Sequence, residues 1–65
     1  MSLYDYQVSR TIAQMDAPFY ALIMAAMRQA DTQNLAKLAA AWPEGYVEFT
    51  ARYNAPGGLL GGEQP

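Results

Sequence analysis

The apolar positions of this chain recur at helical spacing in four successive segments. The central segment, Ala17 to Met27, is the most apolar, and its eleven residues carry no charge. At 100° per residue, Phe19, Leu22, Ile23, Ala26, Met27 and Ala30, with Tyr20 and Met24 at the margin, cover an arc of roughly 200°. So wide an arc predicts a central helix with more than one neighbour. The opposite face, Ala17, Ala21, Ala25 and Arg28, is small enough to lie in solvent or to admit another backbone.

Narrower stripes flank this segment. From Ser2 to about Met15, the residues Tyr4, Val8, Thr11, Ile12 and Met15 share one face, with Gln7, Arg10 and Gln14 on the other. Ser2 and Asp5 stand at capping-box spacing, with the acid also favoured by the helix dipole. Leu3 and Tyr6 lie off the stripe. Asp16 is the expected N-cap of the central helix, with Pro18 in its first turn. Asp31-Thr32-Gln33-Asn34 is a polar break whose Asp or Thr caps a third helix, with Leu35, Leu38, Ala39 and Trp42 on its stripe. Pro43 marks a corner and opens a fourth helix, to about Tyr53, with Tyr46, Val47, Phe49, Thr50 and Tyr53 on one side. Glu44, Glu48 and Arg52 take the other side, and Glu48 and Arg52 stand at i,i+4 spacing. The Gly/Pro-rich segment after Asn54 cannot sustain a helix. Asn54 to Gly58 should stop the fourth helix, Leu59 and Leu60 can fold back as an apolar latch, and Gly61 to Pro65 should be mobile. These signals predict an all-α fold, a compact bundle of three to four short helices over residues 1–58 with a flexible tail over 59–65.

Composition narrows what such a bundle can do. At 65 residues with no cysteine, hydrophobic packing is the visible source of stability, and a domain of this size is marginal without a partner or self-association. Four basic residues against six acidic ones give a net charge of −2, a poor footprint for nucleic acid. Helices two and three have a short connection like that of a helix-turn-helix, but the second of them offers only Lys37 as a basic residue. The apolar run falls short of the roughly 20 residues that span a bilayer. Met1 to Asp5 has neither the basic nor the apolar region of a secretory signal, so cytoplasmic synthesis is expected.

Histidine and cysteine are both absent, which removes the usual general base and the usual nucleophile pairs. The acids fall at helix starts and on polar faces. Glu44 and Glu48 alone make a poor cation site, since two carboxylates lack a third ligand. The glycine-rich tail has neither the strand nor the Lys-Ser/Thr of a phosphate loop. No enzymatic activity, cofactor or metal is expected. The stronger signal is a surplus of aromatic and methionine side chains. Phe19, Met27, Trp42, Phe49 and Tyr53 are the expected interior. Tyr6, off its stripe, with Tyr20 and Met24, at the edge of theirs, are the candidate contacts with a protein partner or a second copy, because Tyr and Met suit such surfaces.

The run Asp16-Ala-Pro-Phe-Tyr-Ala-Leu-Ile-Met-Ala-Ala-Met-Arg-Gln-Ala-Asp-Thr32, with Ala41-Trp-Pro-Glu44 and Ala51-Arg-Tyr-Asn-Ala-Pro-Gly-Gly-Leu-Leu60, resembles short uncharacterised helical proteins encoded by bacteriophages, notably those of actinobacteria. The resemblance implies a context rather than a chemistry: a small phage protein at work in the bacterial host cytoplasm or in the virion. Two expectations follow. One is an accessory protein that modulates a host protein or defence system; the other is a small capsid or tail component.

Overall fold

A computed structural model describes all 65 residues, and it is all-helical. Helix α1 spans Leu3–Ala13, α2 Phe19–Gln29, α3 Thr32–Ala41 and α4 Pro43–Tyr53, and a short 3-10 turn follows at Pro56–Gly58. The all-α class and the four predicted segments are therefore borne out. Helices α2, α3 and α4 pack on one another and the 3-10 turn packs on α4, whereas α1 packs against no other element. The radius of gyration is 13.5 Å, with extents of 43 × 26 × 16 Å. A compact domain of this length would have a radius of gyration of about 11 Å. The projecting α1 accounts for the elongated shape.

Local signals set the helix ends. The Ser2 hydroxyl accepts from the Asp5 N–H at 3.1 Å and donates to the Asp5 carboxylate at 3.0 Å. Asp31 caps α3, its carboxylate accepting from the Asn34 N–H at 2.8 Å. Trp42 sits between α3 and α4 with φ −130° and ψ 69°, so it cannot continue the helix, and Pro43 restarts it at the first position. Asn54 closes α4, its side-chain amide donating to the Thr50 carbonyl at 2.8 Å.

One expected cap is corrected. Asp16 does not cap α2; Pro18 holds that position and makes no side-chain cap bond. Asp16 instead has φ 53°, the left-handed conformation that closes many helices, after the chain leaves α1 through turns at Gln14 and Met15. Ala17, placed before a proline, is biased toward an extended conformation. The linker thus ends α1 early, at Ala13 rather than Met15.

The core is small. Met27 of α2 is 2% exposed and Phe49 of α4 9% exposed, and these two are the buried side chains. Leu22, Ile23, Leu35, Leu38, Trp42 and Tyr46 are half-buried around them. Burial of Phe19 and Tyr53 is not borne out: they are 57% and 62% exposed. Phe19 stands at the free end of α2, where its aromatic neighbours are Tyr20, with ring centroids 5.3 Å apart, and Trp42, at 6.2 Å. Ala26 and Val47, assigned to apolar faces by periodicity, are exposed as well. The stripe of α1 is also uncovered, with Tyr4, Val8, Ile12 and Met15 all in solvent. Three helices of ten or eleven residues offer too few facing positions to cover every apolar arc.

Candidate functional site

The largest concavity lies between the small-residue face of α2 and the C-terminal half of α4. Ala21 and Ala25 form one side, Phe49 and Tyr53 the other, and Gly57 and Gly58 of the 3-10 turn close one end, around a volume of about 800 Å³. Ala21, Ala25 and Arg28 of this face are exposed to solvent, one of the two expectations for it, and they line the open cleft. Met24 and Arg28 project along the same helix, one turn apart, and also line it.

Arg28 gives the cleft its polarity. Its guanidinium carbon lies 5.2 Å from the centre of the Tyr53 ring and 5.9 Å from that of Phe49, a cation–π arrangement. The two rings are themselves tilted at 47° with centroids 5.8 Å apart. No carboxylate pairs with Arg28, since both ion pairs of the protein belong to Arg52. The cleft thus offers aromatic and thioether surface beside one cation free to meet an incoming acid or carbonyl.

Arg52 does the opposite work, holding the wall together. Its Nε donates to Glu48 at 2.9 Å, the i,i+4 pair expected from the sequence. Its Nη1 donates to the Gly58 carbonyl at 2.8 Å and to Glu63 Oε1 at 2.6 Å, while Nη2 donates to Glu63 Oε2 at 2.9 Å. Glu63 Oε1 also accepts from the Leu60 N–H at 2.9 Å. Bidentate donation from Arg52, then this backbone bond, holds the Glu63 carboxyl down at about 2 from its ordinary 4.5. The same hydrogen bonds, first to Glu63 and then to Glu48, push the Arg52 guanidinium further up. The chain can reach back because Gly57 and Gly58 have φ 63° and 72°, a succession that side-chain-bearing residues rarely adopt. Leu59 and Leu60 are half-buried, and Leu60 shares a depression on the outer side of α4 with Val47 and Ala51, the position expected of a latch.

The three candidate contact residues do not converge. Met24 is half-buried in the cleft wall. Tyr20 is 61% exposed, one turn toward the N-terminus on the same helix and outside the cleft lining. Tyr6 is exposed on α1, on an element that touches none of the others. Sequence reasoning passed over Arg28 and Arg52 as site residues. Arg52 carried a local signal in Glu48, but Glu63 lies eleven residues away and only the glycine-built turn brings it home. Glu48 is committed to Arg52, and no three acidic side chains gather in the geometry of a metal site. No helix is long and apolar enough to cross a membrane. Comparison with protein-family models, curated proteins and solved structures finds no match for this chain.

Proposed function

We propose that this chain is a small non-enzymatic protein-binding module, and that it serves as a phage-encoded accessory protein that modulates a host protein or defence system in the bacterial cytoplasm. The cleft between α2 and α4 is the observation that carries the binding reading. It combines a floor of small residues, walls of Met24, Phe49 and Tyr53, and the unpaired Arg28. Adaptable thioether and rigid aromatic surface around one cation is the composition of interaction hot spots. Tyr20, exposed beside Phe19 at the head of α2, extends the same apolar surface beyond the cleft. The phage context rests on the resemblance of Asp16 to Thr32 and of the Trp42 and Tyr53 segments to phage-encoded proteins.

The test is affinity capture from bacterial lysate followed by titration of the captured protein against purified variants. Met24→Ala, Arg28→Ala and Tyr20→Ala should each weaken binding by about tenfold or more, the effect of ~1.4 kcal/mol per anchor, with the helical signal unchanged. Equal affinity for all three variants sinks the cleft as the binding site. Mass spectrometry of purified phage particles separates this role from that of a capsid or tail component, which would be present in fixed copy number.

A further inference from the structure

Helix α1 is formed, capped and apolar along one face, and nothing in the chain covers it. Such a helix has no means of supporting itself. It has 11 residues, and isolated helices shorter than about 12–15 residues are marginal in water even when alanine-rich. Its exposed stripe carries Tyr4, Val8 and Ile12, and the exposed Met15 follows in the turn beyond its end.

The surface of the whole chain shows the same deficit. Its accessible area is 5506 Å². A folded monomer of 7.1 kDa is expected to expose about 4,100 Å², and its unfolded chain about 10,300 Å². The chain therefore buries only about 47% of its unfolded surface, where a domain of this size reaches roughly 60%. The surplus, about 1,400 Å², is within the share that each subunit contributes to a homodimer interface of 2,000–5,000 Å².

We infer that α1 is an association helix, and that its occupant is α1 of a second copy, antiparallel and related by a twofold axis through Val8. The spacing selects this partner. Tyr4, Val8 and Ile12 form an i,i+4 ridge that is symmetric about Val8, which is also the midpoint of Leu3–Ala13. Reversing the helix about that point sets Tyr4 against Ile12 of the second copy, Ile12 against its Tyr4, and Val8 against Val8. A face that is its own complement is what an isologous contact requires, and ridges of this kind are the commonest means by which helices interlock. Antiparallel alignment also sets the two helix dipoles favourably. The smallest of the three side chains falls at the crossing point, where the axes come closest. α1 contributes no residue to the cleft between α2 and α4, so the cleft reading and this one stand or fall separately.

Sedimentation of the full chain over a concentration series, with helical signal followed by circular dichroism, tests the inference. The expected results are a mass that doubles with concentration and an α1 helical contribution that is lost on dilution. Val8→Arg should give a monomer that loses the α1 signal at every concentration. Arginine is the better helix former of the two, so that loss reports the missing partner rather than propensity. Since the chain has no cysteine, Val8→Cys should form a disulfide-linked dimer on mild oxidation much faster than Tyr6→Cys. A chain that stays monomeric at millimolar concentration overturns the proposal. A dimer that survives Val8→Arg overturns it as well, and equal cross-linking of the two cysteine variants overturns the antiparallel register about Val8.

Discussion

Helices α1 and α2 are each 11 residues long, and they invert the usual relation between local signal and packing. α1 has the better ends: Ser2 caps it, Asp5 lies in its first turn and Arg10 in its last, all in the sense that favours the dipole. α2 has no side-chain cap and no acid in its first turn, yet it supplies Met27, the most deeply buried side chain of the protein. Local chemistry decides where a helix begins and ends. It does not decide whether the helix belongs to the core, because that depends on facing surfaces that the helix does not itself carry.

The largest expected effect lies in the body. Phe49→Ala removes one of the two buried side chains and should destabilise the α2–α4 unit by about 3–5 kcal/mol, enough to abolish cooperative thermal unfolding at this size. A variant that keeps a sharp transition near the parent midpoint would show that the three-helix core is not the stable unit. Next comes a comparison of caps. Asp31→Ala should cost the body about 1 kcal/mol in denaturant unfolding, the usual value of an N-cap. Ser2→Ala should fray α1 and leave the unfolding midpoint of the body in place; equal losses would mean that α1 and the body unfold as one unit.

A smaller effect concerns the tail. The Glu63 carboxyl titrates lower when the chain is folded than when it is free, so its contact with Arg52 favours folding above pH about 4.5 and is lost as pH falls toward about 2. Amide exchange at Leu60, whose N–H is held by Glu63, should accelerate over that window at constant helix content, after correction for the intrinsic pH dependence of exchange. Glu63→Gln should show the faster exchange already at neutral pH. The smallest effect is expected for Tyr4→Ala, which under dilute conditions should shift the stability of the body by no more than about 0.5 kcal/mol, the range of surface substitutions. A larger shift would mean that α1 leans on the body after all.

The element map was legible in the residues because its signals are short-range. Ser2 with Asp5, Asp31 with Asn34, Pro43 after Trp42, and Asn54 before the glycines each act within a few positions of one another. Periodicity also placed Met27 and Phe49 on inward faces, although each lies toward the edge of its arc rather than at the centre. It failed for Phe19, Tyr53 and Val47, because an arc states which residues share a face and not how much of that face a neighbour covers. Asp16 misled for a related reason: a residue suited to capping is also one of the few that tolerate the left-handed conformation, and the proline two positions on decided between them.

The candidate site was less legible. Met24 could be placed at the edge of the α2 stripe, and the cleft beside it uses the Ala21 and Ala25 face that the helical wheel had set apart. The approach of Arg28 to Tyr53 and the return of Glu63 to Arg52 depend on the relative placement of α2, α4 and the 3-10 turn. The sequence by itself determined four helices, most of their ends, and an apolar stripe on each. Only the tertiary structure decided that three of those stripes meet while the fourth, on α1, faces solvent, because mutual coverage is a property of several surfaces together and is written in no single segment.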